Sequence, residues 1–133
     1  SKINKRTHRW LDKSIYEPSI KLAQQNDNDF KPLLDKYKYC TKPDETANHR
    51  ENAEWFLALL NDSLEKRSYL LGHELTLADI AIFPFIRQFA LVDYDWFSNY
   101  RYKALVRWLQ HLLKLDCFNR VMLKQAVFQS AIG

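Results

Sequence analysis

A chain of 133 residues is long enough to be one domain with a real core, and its 47% hydrophobic and 27% charged residues exclude a disordered or fibrous protein. The formal charge of +4 does not describe a basic body: Lys2, Lys5, Arg6 and Arg9 fall within the first nine residues, which hold no acid, and the 16 other basic residues match the 16 acidic ones. Two glycines and four prolines argue against a turn-rich fold and predict long helices with few connections.

Residues 1–12 read as a basic N-terminal arm or interdomain linker. A few positive charges at a terminus fit a frayed or linking segment better than a phosphate-binding one. The first residue is Ser rather than Met, which leads us to expect a processed chain or a piece of a longer one. Residues 13–24 then carry a helical pattern, and the NDND at 26–29 is expected to interrupt it with residues that prefer caps and turns. A second helix is predicted from near Asp29, because Pro32 is tolerated in a first turn and Leu33, Leu34 and Tyr37 recur at helical spacing. It should end before Cys40.

Pro43 and Asp44 open a third helix that runs to about Arg67. Ala53, Phe56, Leu57, Leu60 and Leu64 form one apolar stripe, and Trp55 with Leu59 begins a second, so burial on two sides is expected. Lys66 and Arg67 suit the carbonyl end of its dipole. A fourth, almost wholly apolar helix is predicted from Leu77 to Val92, with only Asp79, Arg87 and Gln88 strongly polar. It is too short and too interrupted by charge to span a membrane, so it reads as a central core helix that Pro84 should bend. DYDWFSNY at 93–100 reads as a polar and aromatic loop with room for one helical turn; residues 101–114 and then about 116–124 read as two closing helices. The expected architecture is an all-α bundle spanning residues 13–133.

Thr76 and Asp79 stand at capping-box spacing at the start of the apolar helix, with Leu75 and Ile80 at the positions of a hydrophobic staple. We read Asp79 as a structural cap rather than a catalytic carboxylate, since no second acid stands at a fixed spacing to work with it. Cys40 and Cys117 form no CxxC and have no His close by in sequence, so neither a zinc site nor a disulfide framework is expected. Scattered thiols, with no secretory signal, fit a reducing, cytoplasmic setting. His8, His49, His73 and His111 show no metal-ligand spacing and are expected at the surface, with no metal bound.

The run GHELTLADIAIFPFIRQFA, from Gly72 to Ala90, resembles the signature of the C-terminal domain of glutathione S-transferases: a loop glycine, then Ser/Thr-x-x-Asp opening the core helix. Ile82-Phe83-Pro84-Phe85 looks most like omega-type and bacterial members, FKPLLDKYKY at 30–39 is similar to the bacterial helix end, and YKALVRWLQHLL at 102–113 fits the final tryptophan helix. The resemblance covers roughly residues 13–125 and implies a glutathione S-transferase C-terminal-domain-like helical bundle. It further implies a missing N-terminal thioredoxin-like domain that would hold glutathione and the Tyr, Ser or Cys activating its sulfur. No catalytic residue is therefore expected here, and the isolated chain should be inactive.

What the resemblance assigns to this half is one wall of the electrophile cleft. It implies Phe85 and Gln88 as lining residues, with Arg87 and Phe89 as neighbours of lower rank; plain core packing is the alternative for the two phenylalanines and a surface role for Arg87. Tyr16, Tyr37 and Tyr39 fall in the early helices, which in this family form the opposite wall and part of a dimer contact, so Tyr16 and Tyr37 join the candidate lining and a homodimer is a possible partner state. Two other functions stay open. A free-standing helical module for protein association would suit a neutral, aromatic-rich body. Nucleic-acid binding through the basic arm is the weakest fit, and neither nucleic acid nor membrane is an expected partner.

Overall fold

The computed structural model describes residues 13–99 and 101–115; the basic arm and the predicted closing helix at 116–124, with Cys117, lie outside the described residues. Helix α1 covers Lys13–Gln25 and leads through a π-helical turn, Asn26–Phe30, into α2, Lys31–Lys38. Helix α3 covers Pro43–Lys66, α4 Leu77–Val92 and α5 Tyr94–Asn99, and α6 occupies residues 103–115. Among the described residues there is no strand, and no helix is long and apolar enough to cross a membrane.

The NDND segment does not break the chain as its composition suggests. It stays helical but widens by one residue per turn, with the Lys31 N–H donating to the Asn26 carbonyl. Pro32, at the start of α2, supplies a physical reason: it has no N–H to give to the carbonyl four residues back, and its ring crowds that carbonyl. The wider turn buries Phe30, whose ring stacks on Phe56 at 4.8 Å between centroids and lies 5.9 Å from Phe89. One local expansion thus joins α1 and α2 to both α3 and α4.

Helix α3 begins at Pro43, where a missing N–H costs nothing, and places Asp44 and Glu45 in its first turn, where the dipole favours acids. Its stripe of Ala53, Phe56, Leu57, Leu60 and Leu64 is fully buried. The expected second buried side is not closed among the described residues: Trp55 and Leu59 remain 42% and 41% exposed, Leu59 beside a hollow that separates it from α1. Helix α6 instead docks along polar ties from α3. Asn61 Oδ1 accepts from the Leu105 N–H at 3.0 Å, satisfying a first-turn donor of α6 from across the interface. Glu54 Oε1 accepts from the Tyr102 hydroxyl at 2.7 Å, and Arg107 Nη2 donates at 2.8 Å to the Leu64 carbonyl near the C-terminal end of α3.

Helix α4 sits among α1, α2 and α5, burying Ala78, Ile82, Ile86, Phe89 and Ala90, and continues through Pro84. Its start is fixed by a capping box between Thr76 and Asp79. The Asp79 carboxylate has no exposure to water. Oδ2 accepts from the Thr76 N–H at 2.9 Å and from its hydroxyl at 3.0 Å; Oδ1 accepts from the Leu70 N–H at 2.9 Å and from the Trp108 indole at 2.8 Å. That arrangement ties the α3–α4 connection, the first turn of α4 and α6 to a single side chain.

Asp79→Ala strips the acceptor from three buried N–H donors at once, each costing on the order of 1–3 kcal/mol when left unpaired. We expect a loss of about 3–5 kcal/mol in urea unfolding, against about 1–3 kcal/mol for Trp108→Phe, which leaves the carboxylate with its other donors.

Candidate functional site

Residues spaced four, three and four apart share one flank of a helix, and on α4 these are Ala81, Phe85, Gln88 and Val92. The flank borders the fully buried face and is itself half-buried to exposed. Helix α2 runs beside it. Lys31 Nζ sits 5.8 Å from the centre of the Phe85 ring, and Lys38 Nζ donates to Gln88 Oε1 at 3.0 Å. The structure therefore brings Phe85 and Gln88 together on a surface that is apolar in the middle and bordered by an amide and two ammonium groups. Such a surface can rest an apolar group and attract an anionic one.

The other nominated residues are placed differently. Phe89 and Tyr37 are each 1% exposed, their rings 4.7 Å apart, and Phe89 also lies 6.4 Å from both Trp96 and Phe97. They are core residues beneath the flank, not lining on its surface. Arg87 points away from the packed face and is exposed. Tyr16 on α1 is 40% exposed and Tyr39 is 69% exposed, beyond the C-terminal end of α2.

Reasoning from sequence missed Lys31 and Lys38. Their separation of seven residues, two helical turns, puts them on one face of α2 and was the available signal. It also missed Arg50, whose guanidinium stacks 4.3 Å over the Trp96 ring and pairs with Asp93 at 3.8 Å, holding the α4–α5 corner to α3. The Tyr37 hydroxyl is buried beside this group, close enough to feel its N–H dipoles but without a well-formed hydrogen bond. Burial raises its pKa above 10.0, and the Arg50 charge opposes that shift. One reading is corrected outright: Cys40 does have a histidine beside it. The thiol, the Glu45 carboxylate and the His49 ring come within 4.8 Å of one another, and His49 is half-buried, because the connection from α2 folds back on the first turns of α3.

Two hollows lie elsewhere. One of about 580 Å³ opens at the C-terminal end of α3 among Arg67, Tyr69, His73, Arg107, Trp108 and His111, where the Tyr69 hydroxyl meets His111 Nε2 at 2.9 Å. The second, about 340 Å³, runs between α1 and α3 past Pro18, Leu22, Leu59 and Leu71. Neither includes Phe85 or Gln88.

A helical domain whose core helix opens on a buried Thr-x-x-Asp box is the arrangement of the glutathione transferase C-terminal half, and comparison with known proteins agrees. Residues 43–111 match the family described as glutathione S-transferase, C-terminal domain, and the chain belongs to that family. It is also similar to the mouse protein named eukaryotic translation elongation factor 1 epsilon-1, 35% identical over 63 residues, which are 47% of this chain and 36% of that protein. The chain thus matches little more than a third of that relative's length. No solved structure matches.

Tyr37→Phe removes a buried hydroxyl that makes no well-formed hydrogen bond and only a weak one with Arg50, so stability at neutral pH should change by less than about 1 kcal/mol. A phenol with a raised folded pKa keeps its full contribution below its unfolded value near 10.0 and loses it as pH climbs through the folded value. The variant should therefore lose less stability than the parent between pH 10 and 12 in denaturant titrations. Tyr69, raised by burial and by the Asp79 charge, keeps part of the slope.

Proposed function

We propose that this domain forms one wall of the electrophile cleft of a glutathione transferase and has no reactive centre of its own. The observation that carries the reading is the α4 flank, where a half-buried phenylalanine and an amide lie beside two lysines. A thiol is a weak nucleophile at neutral pH and must be held as thiolate. In this family that task belongs to the thioredoxin-like N-terminal domain, which is the first partner of this reading; a second copy of the chain is the other. Glutathione enters only with that domain, whereas Phe85, Gln88, Lys31 and Lys38 position what it reacts with. Resemblance of the Ile82-Phe83-Pro84-Phe85 segment supports an omega-like or bacterial subtype, and a reducing cytoplasmic setting suits the free Cys40 thiol.

A second reading, a free-standing module for protein association, is supported by the partial exposure of Trp55 and Leu59 and by the match to a protein named as an elongation factor. The two are separated by one titration. Followed by amide NMR, an S-alkylglutathione should bind with a roughly millimolar Kd, as expected of one wall, and move resonances of Phe85, Gln88 and α2. Phe85→Ala should weaken binding by about 1–2 kcal/mol. Shifts confined to the Trp55–Leu59 face, or conjugation of an aryl halide to glutathione by the chain alone, would sink the first reading.

A further inference from the structure

Cys40 stands three residues before α3, and Glu45 and His49 stand one helical turn apart within it. Two ligands spaced four apart share one helix face, the placement helical metal sites use. The connection from α2 brings the thiol onto that face, so that one donor atom from each residue lies within 4.8 Å of the other two. Thr46, between the two helical ligands, donates its hydroxyl to the Lys42 carbonyl at 3.1 Å and lies 3.6 Å from Cys40 Sγ, whose thiol donates to the Lys42 carbonyl at 3.3 Å. The thiol is therefore held over the helix rather than swinging in solvent.

We propose that Cys40, Glu45 and His49 bind a divalent transition-metal ion of the zinc class, with a fourth coordination position open to water. A soft sulfur, an imidazole and one carboxylate are the donors such ions take, whereas magnesium and calcium require a shell of oxygens. Bond lengths of about 2.0–2.3 Å set tetrahedral donors roughly 3.3–3.7 Å apart. Drawing the three atoms in from separations of up to 4.8 Å needs shifts of no more than about 1 Å, within the reach of rotamer changes at exposed Glu45 and half-buried Cys40 and His49. Thiolate and carboxylate together balance the ion's two charges. The N-terminal end of α3 opposes a cation, and Lys42 lies 4.0 Å from Glu45, but that ammonium is largely solvated, its side chain 70% exposed, and is free to leave. A bound ion would pin the α2–α3 connection to α3 and leave one site for an exogenous ligand. The inference is independent of the proposed cleft on α4.

The test is titration of the metal-free chain with Co²⁺ and then Zn²⁺. One equivalent of Co²⁺ should give a thiolate-to-cobalt charge-transfer band and the intense visible bands of four-coordination, and Zn²⁺ should displace it. Cys40→Ser should abolish the charge-transfer band, and His49→Ala and Glu45→Gln should each weaken Zn²⁺ binding at least about tenfold. Cys117→Ser should keep the parent spectrum. Glu45 is exposed, so Glu45→Gln keeps the test decisive should another variant lose its helical circular dichroism. No charge-transfer band in the parent, a band that survives Cys40→Ser, or unchanged affinity in Glu45→Gln would overturn the proposal.

Discussion

An ionised carboxylate is stable out of water only when its lone pairs are engaged, and Asp79 engages them with donors from three separate parts of the chain. Its backbone partner at Thr76 fixes where α4 begins, Leu70 fixes the path of the connection that arrives there, and the Trp108 indole fixes α6 against both. The register of α4 then decides which residues face inward. With Ala78, Ile82, Ile86 and Phe89 buried, Phe85 and Gln88 have no choice but the flank beside α2. The candidate surface is thus a consequence of the cap, although the two are separated by the length of the helix.

The parts of the fold that local chemistry governs were readable from residue order. A Thr-x-x-Asp before an apolar run, a proline at the first position of α3 and a stripe at 53, 56, 57, 60 and 64 each act within a few residues, and each takes the form the spacing predicts. What could not be read depends on distant partners. Nothing in TLAD says that an indole 29 residues on will share the carboxylate. Composition at NDND argued for a break, yet Pro32 and the burial of Phe30 favoured a widened turn. Trp55 and Leu59 show the converse, since apolar spacing states what a face could bury and not whether anything covers it.

The candidate surface was legible in the same partial way. Phe85 and Gln88 share a flank by simple spacing, but Phe89 and Tyr37 belong to the aromatic core, a distinction that only packing against Phe30, Trp96 and Phe97 makes. The two lysines escaped notice because charged residues on a short helix read as a solvated face. Cys40 and His49 escaped because their approach is made by a connection whose path has no periodic signature.

The span between Asp79 and Trp108 also has a meaning for synthesis. A ribosome delivers the chain from its N-terminus, so the greasy helix and its carboxylate are made well before the indole and before the α6 residues that cover the far side of the core. Until then the box at the start of α4 is short one donor, and only the part of its inner face that meets the earlier helices has its partners. The cap on α4 is therefore complete only after a residue made 29 positions later has been delivered.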